Sequence, residues 1–267
     1  MDDPDLKLLF GAIILIVFGV VGWTYRDQLF GQPEPEPVIA APAPVEPVAD
    51  GGPQHPMPET TPAMSSSGEL VPLPALDDSD AYVLLEIAAT FGPAIESLLV
   101  REAVIDRLVT TVDNLPRSEL SEKIRPVGRL RENFATDVGD DDAIVLGINN
   151  YVRYEALVAQ LYYADLDKVY DTYRRFYPLF QKSYERLGYP DAYFNDRLVE
   201  VIDHLVATPM PEGPIVLVRP NVLYEFADPD LEALSSGQKL LLRMGPNNAG
   251  SVKRMLGKFR SRLTAAN

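Results

Sequence analysis

The chain has 267 residues, no cysteine and a formal net charge of −15. The absence of cysteine excludes disulfides, thiolate metal sites and thiol nucleophiles. The acidity argues against a nucleic-acid partner, because a phosphate backbone is held by clustered Lys and Arg. The charge is uneven: beyond Glu232 the chain has basic residues and no acidic one. That asymmetry reads as a partner surface or, preferably, as a basic C-terminal helix docking on the acidic body of its own domain.

Residues 1–7 form a short tail, and residues 8–25, from Leu8 to Tyr25, contain no charged side chain. As a helix this run rises roughly 27 Å, enough for the hydrocarbon core of a bilayer. Trp23 and Tyr25 stand at one end, where amphipathic rings favour the interface. A cleaved signal peptide would have a shorter apolar run and a small-residue cleavage site, so a retained transmembrane helix is expected. Lys7 and Arg26 nearly balance across it, but no Lys or Arg occurs from Gln28 to Val100. A basic-free segment is easily translocated. The expected location is therefore a bacterial inner membrane, single-pass, with the soluble domain in the periplasm.

Residues 26–76 read as a disordered linker rich in Pro, Ala and Glu. Residues 31–76 hold half of the chain's 24 prolines. Each proline fixes φ and removes a donor, so neither helix nor sheet is expected and polyproline II is the default. Fully extended, these residues reach roughly 140 Å.

From Asp77 the pattern becomes globular and mainly α (α+β). Ser79 is placed to cap a helix from Asp80 towards Thr90. Val104, Leu108, Val112 and Leu115 recur at helical spacing, and Pro116 stops them. An acidic loop, residues 137–142, precedes helices that resume at Asn149. The strongest helix runs from Asp165 to Leu187 on a stripe of Leu166, Val169, Tyr173, Phe176, Phe180, Tyr184 and Leu187, with Pro178 as an expected break. Gly188 closes it. Asn195 or Asp196 is the expected cap of a helix to Ala207. Residues 215–219 and 222–226 read as a β-hairpin about Pro220-Asn221. The last helix presents Val252, Met255, Leu256, Phe259 and Leu263 on one side.

The chain also resembles itself. Asp106-Arg-Leu-Val109, followed by Asp113 and Leu115, recurs as Asp196-Arg-Leu-Val199, followed by Asp203 and Leu205. Arg125-Pro126 leads to Phe134 as Arg219-Pro220 leads to Phe226. Gly147, Arg153, Val169 and Phe176 then correspond to Gly237, Arg243, Val252 and Phe259. This order predicts a tandem duplication of a unit of about ninety residues with pseudo-twofold symmetry. The repeats are placed at residues 77–176 and 177–267, with small hairpins in one or both.

Several longer motifs carry a family resemblance: Val112-Asp-Asn-Leu-Pro116, Asn150-Tyr-Val-Arg-Tyr154, Tyr177-Pro-Leu-Phe180, Leu187-Gly-Tyr-Pro190, Phe194-Asn-Asp-Arg-Leu-Val-Glu-Val-Ile-Asp-His204 and Gly237-Gln-Lys-Leu-Leu-Leu-Arg-Met-Gly-Pro246. In these the chain resembles an uncharacterised proteobacterial membrane-anchored family catalogued as domain of unknown function 3014. The resemblance spans about Pro72 to Leu263. It implies a single-pass envelope protein with an arm and this domain, and supplies no activity or catalytic residue.

Chemistry is sparsely provided. His204 is the only histidine beyond the arm, and it falls off the buried stripe of Leu198, Ile202 and Leu205. No metal or cofactor site is expected, and no catalytic residue is assigned. Asp106 and Asp113, repeated as Asp196 and Asp203, are expected to be structural, each bonding an arginine (Arg125 and Arg219, or Arg153 and Arg243) or capping a neighbouring helix. The binding candidates are aromatic. Ten of the chain's 13 tyrosines fall between Tyr151 and Tyr193, and tyrosine suits stacking on sugars or gripping a peptide. Tyr189, Tyr193 and Phe194 beside Arg197 form the expected cleft edge, with Tyr151, Arg153 and Tyr154 as further candidates. Tyr162 and Tyr163 are also free of the core stripe. The leading expectation is a non-enzymatic binding or scaffolding module whose partner is an envelope protein or cell-wall component. The alternative is a carboxylate-dependent enzyme acting on cell wall or envelope polysaccharide.

Overall fold

A computed structural model describes residues 52–58, 63–64, 70–91, 96–127, 134–162, 165–221 and 223–265. The expected transmembrane helix at residues 8–25 lies outside them, as do Tyr163 and most of the arm. Among the described residues no helix is long and apolar enough to cross a membrane.

The domain is mainly helical with small antiparallel hairpins. β1 (Ala63–Met64) pairs with β2 (Leu70–Val71), which corrects the expectation that the arm carries no sheet. Residues 63–71 contain no proline, so backbone donors are available there. α1 (Asp80–Phe91) follows a single 3-10 turn at Leu76–Asp78. The Ser79 hydroxyl donates back to the Leu76 carbonyl at 2.7 Å. α2 (Val104–Asn114) buries Val104, Ile105, Leu108, Val109 and Val112.

β3 (Thr136–Val138) and β4 (Ile144–Leu146) form a hairpin over the acidic loop. Asp141 and Asp142 take positive φ in its turn, a region that Asp tolerates better than bulkier residues do. The Asp137 carboxylate accepts from the Ile148 N–H at 2.8 Å, just before α3 (Asn149–Tyr162). This hairpin stands later in the chain than the Arg125-to-Phe134 match predicts, because the aspartates that read as a free loop are its turn.

α4 (Leu166–Arg186) is capped by the Asp165 side chain and runs unbroken through Pro178, correcting the expected break. Pro178 is exposed, so its missing hydrogen bond falls on the wet side of the helix. The stripe behind it, Val169, Tyr173, Phe176, Phe180 and Tyr184, is buried. α5 (Phe194–Val206) starts at Tyr193, which makes no side-chain cap. Asn195 and Asp196 therefore sit inside the first turn instead of capping it. β5 (Leu217–Val218) and β6 (Glu225–Phe226) form the hairpin expected about Pro220-Asn221, and one bridge, Val145 to Val216, joins it to β4. α6 (Pro229–Glu232), α7 (Ser236–Arg243) and α8 (Pro246–Thr264) close the chain.

The core is a square of four helices. α5 packs along α8 and α2 along α4, while α2 against α5 and α4 against α8 complete it. Leu108, Val112 and Leu115 are buried beside Leu198, Ile202 and Leu205, and Phe176 and Phe259 are both fully buried. A smaller core of Leu146, Ile215, Leu217, Phe226 and Leu242 lies under the hairpins. The basic end of the chain docks on the domain itself: Arg260 pairs with Asp203 on α5, and Arg262 with Asp167 on α4.

Candidate functional site

The N-terminal turn of α5 lies where α4, the 187–193 loop and the arm meet. Its inner wall is aromatic. Phe194 stacks on Phe180 with centroids 5.6 Å apart, Phe180 on Tyr173 at 5.6 Å, and Tyr184 on Tyr189 at 4.6 Å. Gln181 secures the loop: its amide donates to the Ala192 carbonyl at 2.8 Å, and its oxygen accepts the Phe194 N–H at 2.9 Å. Beside it, burial pushes the Tyr177 hydroxyl up to about 12, with Asn195 pulling the other way.

The next two side chains of that turn hold the arm. The Asp196 carboxylate accepts the Gln54 N–H at 2.9 Å on one oxygen and the His55 N–H at 2.7 Å on the other. The Asn195 amide donates to the His55 carbonyl at 2.7 Å. Asn195 is itself set by the buried Tyr173 hydroxyl, which donates to its oxygen at 3.2 Å. Along the docked segment Pro53, His55 and Met57 are half-buried while Gln54 and Pro56 are exposed, and Met57 packs against the main core. Two successive N–H groups converging on one anion make a backbone nest. The same device occurs at Asp80, whose oxygens accept from Ala103 and Val104 at 2.7 and 2.8 Å.

Behind this turn is a buried charged cluster. Asp113 is 2% exposed. It accepts from Arg197 Nε at 2.9 Å, from Arg117 at 3.1 Å and from the Tyr189 hydroxyl at 3.4 Å. Arg197 also donates to the Asp113 carbonyl at 2.8 Å. Each of the four aspartates has a polar partner. Asp113 has Arg197 and Arg117, and Asp203 has Arg260 at 2.8 Å. Asp106 accepts from Ser183 at 2.5 Å, and Asp196 takes the arm. Sequence register alone does not reveal which arginine a fold brings alongside.

Of the expected cleft edge, Tyr189, Phe194 and Arg197 come together, but facing inward. Phe194 is fully buried and Tyr189 nearly so, while Tyr193 is exposed. Tyr151, Arg153 and Tyr154 belong to a second neighbourhood on α3. There the Asn248 amide donates to the Tyr151 carbonyl at 2.9 Å, and Arg153 donates to Asn150 at 2.5 Å. Tyr154 is buried, and burial raises its hydroxyl. Nearby, burial brings Arg243 down to about 10, against the pull of Tyr154 and Glu232. Tyr162 is exposed under the cations of Arg254 and Lys258.

His204 stands 2.8 Å from the Ser235 hydroxyl. That serine also accepts the Gln238 N–H in the capping box of α7, so the pair ties α5 to α7. Burial, with Arg197 adding to it, holds the His204 ring below its ordinary value. Among the described residues no group of three His, Asp or Glu is close enough to hold a metal ion. An apolar void of about 10 Å³ lies among Leu115, Leu205, Gly237 and Leu256, about the room one water needs.

Sequence reasoning missed Asn195 and His55 as partners. Residues 104–260 match the family model DUF3014, whose description is a protein of unknown function. No curated protein and no solved structure matches the chain.

Proposed function

The chain belongs to the DUF3014 family of proteins of unknown function, and from that premise we propose that it is a membrane-tethered envelope protein whose domain binds or scaffolds and does not catalyse. The observation that carries the reading is the arm docked by its main chain on Asn195 and Asp196. A domain that holds a peptide segment through its backbone N–H and C=O groups has the chemistry of a peptide-binding module. The apolar run from Leu8 to Tyr25 supplies the tether, and the basic-free stretch after it favours a periplasmic domain. The partner is an envelope protein or cell-wall component. Against the carboxylate-enzyme alternative, the most buried aspartate, Asp113, is committed to two arginines and a tyrosine.

The domain is further read as a duplication, with α2 to α4 in one unit and α5 to α8 in the other. The first runs helix, hairpin, helix, helix, and the second keeps that order with the four-residue α6 added after its hairpin. In the four-helix square the α2–α4 and α5–α8 contacts are then equivalents, and α2–α5 and α4–α8 are self-paired across a pseudo-twofold axis. The boundary moves to the 187–193 loop, since the earlier division at 176 would cut α4 in two.

Three measurements test the reading. A reporter enzyme active only outside the cytoplasm, fused at the C-terminus, should be active; activity of a cytoplasm-only reporter there would overturn the location. In-cell crosslinking through residue 193 should capture an envelope component. Turnover of purified cell-wall polymer that is lost on replacing Asp or Glu residues would instead favour the enzyme.

A further inference from the structure

The peptide and the site that holds it belong to different parts of the chain. Asn195 and Asp196 lie within the family-matched residues, and Pro53 to Met57 lie in the arm outside them. We propose that the N-terminal turn of α5 is a recognition site for short peptides of the Pro-x-x-Pro type, bent at their two central residues. The chain's own Pro53-Gln-His-Pro56-Met57 occupies it in cis as a displaceable ligand. The proposal rests on the binding-module reading and names its ligand class.

The ligand class follows from the contacts. The site takes two successive N–H groups and the carbonyl of the second residue, so the two central residues must both be non-proline. Proline on either side has no N–H to leave unsatisfied and fixes φ where the chain enters and leaves the bend, which lowers the entropy lost on binding. Pro53, His55 and Met57 are half-buried, and Met57, flexible and polarizable, packs against the apolar core. An acidic residue at either central position would meet the Asp196 carboxylate and be rejected. The receptor half is prepared independently, because Tyr173 orients Asn195 from inside the core.

The nest at Asp80 shows the same chemistry used permanently, between elements of one domain. At Asp196 the donors come from 142 and 141 residues away, through the arm. A contact of three hydrogen bonds persists there because the tether holds its ligand at an effective concentration on the order of millimolar. A partner peptide of better fit or local abundance displaces it. Displacement changes the arm: with Pro53 docked, residues 31–53 reach about 70 Å when extended, against roughly 100 Å for residues 31–62, up to β1, when released.

The test uses the full-length protein in detergent. With no native cysteine, Gly52→Cys and Glu200→Cys place two spin labels for a distance measurement. A narrow short-distance peak is expected. Gln54→Pro with His55→Pro removes both donors without touching the folded domain and should convert the peak to a broad, longer distribution. Asp196→Ala should do the same, with circular dichroism confirming that the helices remain. A synthetic peptide, Gly-Pro-Gln-His-Pro-Met-Pro, should bind the double-proline protein at least ~10-fold more tightly than wild type, because the cis competitor is gone. A peak that survives both variants overturns the clamp. Loss of the peak without peptide binding at the vacated site overturns the recognition site. Both readouts use purified protein, so a wrong cellular location would leave them unaffected and would be exposed by the reporter fusion instead.

Discussion

Asp113 is the residue on which the interior of the site depends. It is nearly inaccessible and faces two arginines and a tyrosine hydroxyl. Asp113→Ala takes the buried acceptor from Arg197 and leaves it only the exposed Glu200, 2.8 Å away, so it should cost about 3 kcal/mol in urea unfolding, the low end for a broken buried pair. Adding Arg197→Met should restore a large part of that loss, because the stranded charge goes too. Gly245 gives a second prediction. Its φ is 82°, and a Cβ there would lie 2.5 Å from the Tyr151 ring. Gly245→Ala should therefore lose about 2–4 kcal/mol from strain and overpacking together. Tyr151→Ala added to it should recover the steric share and leave the backbone share. His204 sets a pH dependence. Its pKa is lowered on folding, so between the folded value and the unfolded value near 6.5 the unfolded chain binds more protons. The stability tied to the neutral ring is fully present above that unfolded value and is lost as pH falls through the folded one. The stability difference between wild type and His204→Gln, followed from pH 7.5 to 5, should shrink on acidification.

At the scale of elements, α4 offers the clearest test. Pro178 sits in its exposed face with no packing to lose, so Pro178→Ala restores a hydrogen bond and should stabilise the domain by about 1 kcal/mol or more in thermal unfolding. The long helices are legible in the sequence because their burial repeats locally: the stripes of α2, α4, α5 and α8 are visible at i, i+3, i+4 spacing before any neighbour is known. The hairpin of β3 and β4 is not legible, since three-residue strands give too few alternations and its turn is made of aspartates that resemble a solvated loop. Partners are harder still. Asp113 and Arg197 are 84 residues apart, and nothing local distinguishes Arg197 from the other arginines. The site was half legible. Tyr189, Phe194 and Arg197 do cluster, but their inward orientation follows from the way α4 and α5 pack, which no short window contains.

For the whole molecule, the arm is the part whose meaning changes most between sequence and structure. Proline content describes a docked and a free segment equally well, so composition gives no sign of docking. The sole local signal is that Gln54, His55 and Met57 interrupt a run otherwise dominated by Pro, Ala and Glu. Docked, those residues make the arm a ligand of its own domain. The most direct measurement is amide hydrogen exchange at Gln54 and His55 in the full-length protein. Exchange at both amides is expected to be slowed at least ~10-fold relative to an unstructured peptide, with protection lost in Asp196→Ala while the amides of α4 and α8 stay protected. Exchange at Gln54 and His55 at unstructured-peptide rates in the wild-type protein would contradict the docked arm.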